Sequence, residues 1–462
     1  MGITRKLVWQ LWFIFFLTIS IPSVFAQQST LSIKEVLQKV QTNLPQLEAY
    51  RQQASAARQE IQLAKNSLVP DLTAGYQVNI ATINNITGMS YPGFLLPISG
   101  PPSRSNDLNF VPGSALGALV KWNPFTFGQR NAAIEKASAQ FKQANAAYNE
   151  QLFQYQYSAA NIYIEVIYLK QVLRSEQAAI DRNKASLDQS LVLAKNGLKP
   201  GIDTTQFISA IVQAQIDLLQ AERTYEGRLI ELTRLAGMDS PPGNILLTDT
   251  LFNQHIRLLT DTVFSAINHP LYQNIEAQKN NTEAGLKEIQ KSWMPQLDIW
   301  GNVYARGSGV DAQGNINKAD GFNLSRTNTG IGVQLSFPVL QFSKVNSRKK
   351  QYQFLLKADE ARLAQAQLDI HKQTESALLQ YQEDVKIADR SPLLLKSAGD
   401  VYEGLKLSYE AGLIDYTRLS QAQYDLLKAE VNEAGARLQL WRSLLAIAIA
   451  EGDLSIFLEQ LK

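Results

Sequence analysis

Three histidines, His255, His269 and His371, are the only imidazoles in the 462-residue chain, and they lie far apart, without the spacing that gathers metal ligands. There is no cysteine, which excludes disulfides, thiolate metal sites and thiol nucleophiles. Acidic residues recur at helical spacing. Asp400 and Glu403, three apart, would share one helix face. Such pairs lack the partner groups that acid–base work needs, and no Walker or dinucleotide loop follows a strand. The expectation is a protein that is not an enzyme and that carries no cofactor and no metal. With 44 basic and 42 acidic residues and a formal net charge of +2, nothing in the composition suggests a nucleic-acid partner.

The elements around these residues say more. Residues 1–26 read as a secretory signal peptide. Arg5 and Lys6 form its basic region, Leu7 to Ile21 its apolar region, and Val24-Phe25-Ala26 its cleavage site. No later segment has the long uncharged apolar run of a transmembrane helix, so any entry into a membrane would be as strands.

The mature chain repeats itself. QAQIDLLQAE at 213–222 and QAQYDLLKAE at 421–430 share eight of ten residues. Ser67-Leu68-Val69-Pro70-Asp71-Leu72 corresponds to Ser292-Trp293-Met294-Pro295-Gln296-Leu297, and Asn196-Gly197-Leu198 to Ala411-Gly412-Leu413. The expected division is therefore a signal peptide over 1–26, a first repeat over 27–254 and a second over 255–462. Each repeat opens with a helix, about 33–67 and 262–292. Ser32 and Glu35 have capping-box spacing for the first, and Pro70 and Pro295 stop the two helices. Strands follow at about 71–82 and 114–123, then at about 296–307 and 329–338, each pair joined by a long polar loop. Long helices rich in Ala, Gln, Leu, Lys and Glu come last, with coiled-coil-like spacing. Turns are expected near 174–176 and 389–392, with breaks at Gly197, Gly201 and Gly412.

The strands alternate. Leu72, Ala74, Tyr76, Val78 and Ile80 face one way, as do Leu297, Ile299, Val303 and Ala305; Ile331, Val333, Leu335 and Phe337 repeat the pattern. In the second strand Leu119 falls on the polar side. Nine or ten alternating residues suit a tilted membrane strand, apolar to lipid and polar to lumen. Trp122 and Phe337 at strand ends, with Phe125 and Phe342 beyond, suit an interfacial aromatic girdle. Four strands cannot close a barrel, and open edges in lipid are forbidden, so the chain must oligomerise. Two copies give eight strands and three give twelve; spacing alone does not choose.

These features together resemble the TolC family of outer-membrane efflux proteins. The marks that carry the resemblance are the two Pro-ended helices, Asn123-Pro124-Phe125-Thr126-Phe127-Gly128-Gln129-Arg130, and Ser408-Tyr409-Glu410-Ala411-Gly412 leading into Leu419-Ser420-Gln421-Ala422-Gln423. One departure is Ser343 where the second Phe-Gly position would hold glycine. The resemblance implies a mainly α fold with a membrane β-barrel part. Four strands per chain would join a shared 12-stranded trimeric barrel in the outer membrane of a Gram-negative bacterium, and the coiled-coil-like helices would form a periplasmic α-barrel. It implies a homotrimer acting as a passive exit duct, with a periplasmic adaptor and an inner-membrane pump as partners and outer-membrane lipid around it. The family closes at a periplasmic helical tip ringed by acids. Here those acids would be Asp400 and Glu403, with tip contacts from Asp389, Arg390, Arg174 and Glu176. A soluble periplasmic coiled-coil or adaptor protein is the alternative. The transported substrate is not encoded in any motif.

Overall fold

A computed structural model describes residues 29–82, 84, 105–239, 245–248, 266–311 and 313–461. The expected signal peptide with its Ala26 cleavage site, His255 and most of the first strand-joining loop lie outside them. In chain order the elements are β1 (Ser29–Leu31), α1 (Ile33–Asn43), α2 (Pro45–Asn66), β2 (Asp71–Ala81), β3 (Val111–Phe125), α3 (Gln129–Lys195), α4 (Ile202–Leu235), β4 (Ile245–Leu247), α5 (Pro270–Lys291), β5 (Gln296–Ser308), β6 (Arg326–Ser336), α6 (Phe342–Glu410), α7 (Tyr416–Glu451) and α8 (Ser455–Glu459). They form two compact units. One comprises residues up to Arg51 with Ala147–Gln273 and Ala364–Lys462; the other comprises Gln52–Ala146 with Asn274–Leu363.

Three expectations change. The first helix is two helices. Leu44 is extended at ψ 114°, because the residue before a proline avoids the helical region, and Pro45 then opens α2. The second such helix starts at Pro270, after a short 3₁₀ turn at Ala266–Asn268. The turns expected near 174–176 and 389–392 do not exist: α3 runs 67 residues and α6 runs 69, with Pro392 inside α6. Pro392 has no N–H for the Ala388 carbonyl four residues back. The Ser391 hydroxyl donates to that carbonyl instead, at 3.2 Å, so the helix survives its proline. Near 174–176 no glycine or proline interrupts α3, and charge alone does not stop a helix. The Ser32–Glu35 capping box forms as read, with Ser32 N donating to Glu35 Oε2 at 2.7 Å.

The helical unit packs one large apolar core. Val40, Leu47, Tyr163, Ile164, Leu229, Trp441, Leu444 and Phe457 are fully or almost fully buried in it. Trp441 and Phe457 meet edge to face at 5.8 Å. Tyr163 donates to the carbonyls of Leu31 and Thr248, which ties α3 to the parallel β1–β4 pair. Glu165 on α3 takes one arginine from each neighbour, Arg228 of α4 and Arg442 of α7, both at 2.9 Å.

The other unit holds an antiparallel sheet of order β2-β3-β5-β6, so β2 and β6 are edge strands. Arg130 closes the turn from β3 into α3. It donates to the Asn123 and Pro124 carbonyls and, at 3.1 Å, to Ser67 Oγ at the end of α2. Phe127 and Gly128 both have positive φ in this turn, 48° and 92°. After β6 the chain makes a 3₁₀ turn at Val339–Gln341 and enters α6 at Phe342, so Ser343 sits inside a helix where no glycine is required.

Candidate functional site

Two regions carry the candidate residues. The first is the sheet. Register places Leu72 opposite Val120, Val120 opposite Gly301 and Gly301 opposite Ile331 on one face. Tyr76, Leu116 and Ala305 make another row of that face, and Trp122, Ile299 and Val333 a third. A one-residue slip in any strand would have turned its apolar set to the other side. The face is exposed all the same: Ile331 is 84% accessible, Val333 67%, and Leu72 66%. The opposite face carries Asp71, Thr73, Gln77, Lys121, Asp298, Asn302, Arg306, Arg326, Asn328 and Gln334. Leu119 lies among them, as its parity required. Trp122 and Phe125 end β3, where the register shifts between them; Phe337 follows β6 and Phe342 begins α6. All four are exposed, and Trp122 turns its indole N–H to the Leu68 carbonyl at 2.9 Å.

The second region, in the helical unit, is the pair of helix turns. Just beyond the last residues of α3 and α6 lie Gly197 and Gly412, both with positive φ. Leu198 N reaches back to the Leu193 carbonyl and Leu413 N to that of Ser408, each at 2.9 Å, so both ends are Schellman caps. Beyond them, Gly201 precedes α4 without a side-chain cap, whereas Asp415 caps α7 by accepting from Arg418 N. The two turns are tied together. Buried Asp203 accepts from Tyr409 Oη at 3.1 Å, Lys199 Nζ donates to the Ile414 carbonyl, and Tyr416 donates to that of Gln206. Phe207, wholly buried, stacks edge-on against both Tyr409 and Tyr416, and Lys199 lies 5.3 Å over the Tyr409 ring. Burial pushes the Tyr409 phenol above its usual range. Sequence reasoning missed Asp203, Tyr409 and Lys199. The signal available was their closeness in sequence to the two glycines.

The earlier candidates fall elsewhere. Asp389 and Arg390 lie inside α6, roughly 30 Å of helix before its end, and Arg174 and Glu176 lie about as far before the end of α3. Glu176 is half-buried and one of its oxygens has no hydrogen-bond partner. Burial raises its carboxyl, and the charges of Asp217 and Glu430 add to this while Arg182 opposes it. Arg182 itself makes a bidentate pair with Glu430 at 2.9 and 3.1 Å. Asp400 and Glu403 are exposed on α6, about 15 and 10 Å of helix from its end, and Glu403 lies 3.6 Å from Lys406. Among the described residues no group of three His, Asp or Glu is placed to hold a metal ion.

Among the described residues, a four-stranded sheet with one exposed apolar face accompanies two very long helices, and comparison with known proteins identifies the family. The model of the outer membrane efflux protein family matches residues 36–238 and 265–452, and the chain belongs to that family. It is 26% identical to Protein CyaE of Bordetella pertussis over 353 residues, 74% of this chain and 72% of that one. Its fold matches a membrane protein from Pseudomonas aeruginosa with a TM-score of 0.73 at 14% identity, covering 91% and 90% of the two chains. It also matches the open state of the MtrE outer membrane channel of Neisseria gonorrhoeae, with a TM-score of 0.71 at 14% identity, covering 94% and 93%.

Proposed function

We propose that three copies of this chain form an outer-membrane exit duct. Each would lend four strands to one 12-stranded barrel, and the long helices would build the periplasmic wall. The observation that carries this is the sheet: its apolar face is continuous across four strands, and among the described residues the outer edges of β2 and β6 have no strand partner. In lipid those edges need partners, and another copy supplies them. The helices support the same reading. Ile208, Val212, Ile216 and Leu219 make an exposed stripe on α4, and Ile387, Leu394 and Val401 recur every seven residues on α6. Such faces suit coiled-coil partners. The family model also matches in two segments, which supports two repeats, 27–254 and 255–462, after a cleaved signal peptide.

The duct would be passive. An inner-membrane pump, reached through a periplasmic adaptor, would supply the energy. Closure would lie at the two helix turns, where Asp203–Tyr409 and Lys199–Ile414 hold neighbouring helices together. Opening must break or carry these ties. Asp400 and Glu403 would set the charge near the constriction.

The test is the mass of protein extracted from outer membranes in mild detergent, corrected for bound detergent, followed by conductance in a planar bilayer. Three chains per particle that conduct would support the duct. A chain that needs no detergent and sediments alone would make it a soluble periplasmic protein instead.

A further inference from the structure

We infer that the start of α6 is a basic anchor for anionic phospholipid headgroups, gripping the periplasm-facing leaflet of the membrane that the sheet spans. The inference rests on the channel reading above, which puts the junction of β6 and α6 where bilayer meets periplasm. Phe337, Val339, Leu340 and Phe342, all exposed, carry the apolar character of β6 down to that junction. Charge follows at once. Lys344, Arg348, Lys349 and Lys350 lie in the first three turns of α6; Lys349 is half-buried and the other three are exposed. At 1.5 Å per residue they stand about 3 to 12 Å along the helix from its start. A headgroup layer is about 5 to 8 Å deep, and long basic side chains reach back into it.

The sequence around these cations contains no acid to balance them. No aspartate or glutamate occurs from 326 to 358, and Lys357 adds a further positive charge within that run. Asp359, the first acid after it, is buried and accepts from Gln278, Thr282 and Arg362. On α3 and α5 the acids have cations of their own: Glu135 and Glu283 flank Lys287, and Glu288 lies near Lys136. Folding does not call for four cations here. A helix N-terminus is already positive, so each added cation raises the energy of the helix unless an anion answers it. The other strand-to-helix junction is built differently. There Arg130 is spent on the Asn123 and Pro124 carbonyls and Lys136 on Asn281, and Glu135 stands between them in sequence. A basic cluster bordering an apolar band is the pattern that binds an anionic leaflet, with lysines as point charges and arginine as a fork for phosphate oxygens. Three copies would repeat the anchor around the tube.

The test places the full mature protein in phosphatidylcholine vesicles with a trace of spin-labelled phosphatidylglycerol or, separately, spin-labelled phosphatidylcholine. Electron spin resonance reads the fraction of each lipid that the protein immobilises. Wild type should immobilise phosphatidylglycerol at least about twofold more than phosphatidylcholine. That preference should largely vanish at about 1 M salt, where screening acts within about 3 Å. The variant Lys344→Gln/Arg348→Gln/Lys349→Gln/Lys350→Gln should hold both lipids equally and conduct in a planar bilayer as wild type does. A wild type without preference, or a preference that survives the four changes, overturns the anchor. So does a variant whose ion selectivity shifts while its lipid preference stays, because the four side chains would then line the lumen. If the fourfold variant does not assemble, salt decides, and a wild-type preference unmoved by salt overturns the anchor. Any of these results in a protein that still conducts leaves the channel intact. A wild type that never conducts overturns the channel reading, and the anchor with it.

Discussion

The helical unit has two cores of opposite character. One, around Trp441, Leu444 and Phe457, is large, apolar and drawn from seven helices, with the Glu165–Arg228–Arg442 clamp at its side. The other, at the helix turns, is small, and its centre is Phe207 among three tyrosines, Tyr402, Tyr409 and Tyr416. Its contacts include a buried carboxylate, a cation over a ring and hydrogen bonds to carbonyls. The difference teaches where motion is affordable. A large apolar core opens only with global unfolding, whereas a few polar ties at an element's end open locally at lower free energy.

Truncation gives the largest test of that contrast. Trp441→Ala should cost about 3–5 kcal/mol, the usual penalty for emptying a large core site. It should lower the urea midpoint of the detergent-solubilised protein accordingly. Phe207→Ala removes a side chain just as buried, yet the midpoint should fall by less than half as much while the channel spends more time open. Equal losses in the two variants would mean a single cooperative core. Tyr409→Phe is milder. It deletes the hydroxyl that Asp203 accepts from, worth about 1 kcal/mol or somewhat more for a charged acceptor. A several-fold rise in open probability with little change in midpoint is expected from single-channel records. Unaltered gating would remove this pair from the closing mechanism.

Glu176, between the two cores, sharpens the comparison through pH. Its folded pKa is raised above the ordinary 4.5, chiefly by burial. The folded state therefore holds this proton more tightly than the unfolded state does. The stability this group contributes is fully present below 4.5 and is lost as pH rises through the raised folded value. Glu176→Gln should flatten that part of the curve and leave the protein no less stable at neutral pH. Urea midpoints across the window check this, and an unchanged slope would assign the pH dependence to other groups. The smallest effect is expected from Asp400→Asn with Glu403→Gln. Both acids are exposed and Glu403 has Lys406 nearby, so cation selectivity should fall modestly. Identical reversal potentials would show that these acids do not face the narrow path.

Strands were legible because their period of two is written residue by residue and their polar loops are long. The break at Leu44 was also legible in principle, since Pro45 follows it. The expected turns at 174–176 and 389–392 failed for different reasons. In α3 the polar residues near 174–176 come with no glycine or proline, and they continue the helix. In α6 Pro392 is a true breaker whose cost Ser391 offsets, and that rescue depends on a side-chain rotamer. The sites expected from those turns moved with them: Asp389, Arg390, Arg174 and Glu176 became mid-helix residues. The glycines at 197 and 412 marked the real turns, because a left-handed cap favours glycine whatever surrounds it.

What the sequence by itself determined is therefore local. Alternation set which strand residues share a face, caps and glycines set where the helices end, and the absence of cysteine excluded thiol chemistry. Only tertiary structure decided what those faces meet. Register across β2, β3, β5 and β6 aligned four apolar sets into one surface. Helix packing brought Tyr409 to Asp203, 206 positions away in sequence. Periodicity is a property of neighbouring residues, but pairing across the chain depends on relative placement, which no local pattern encodes.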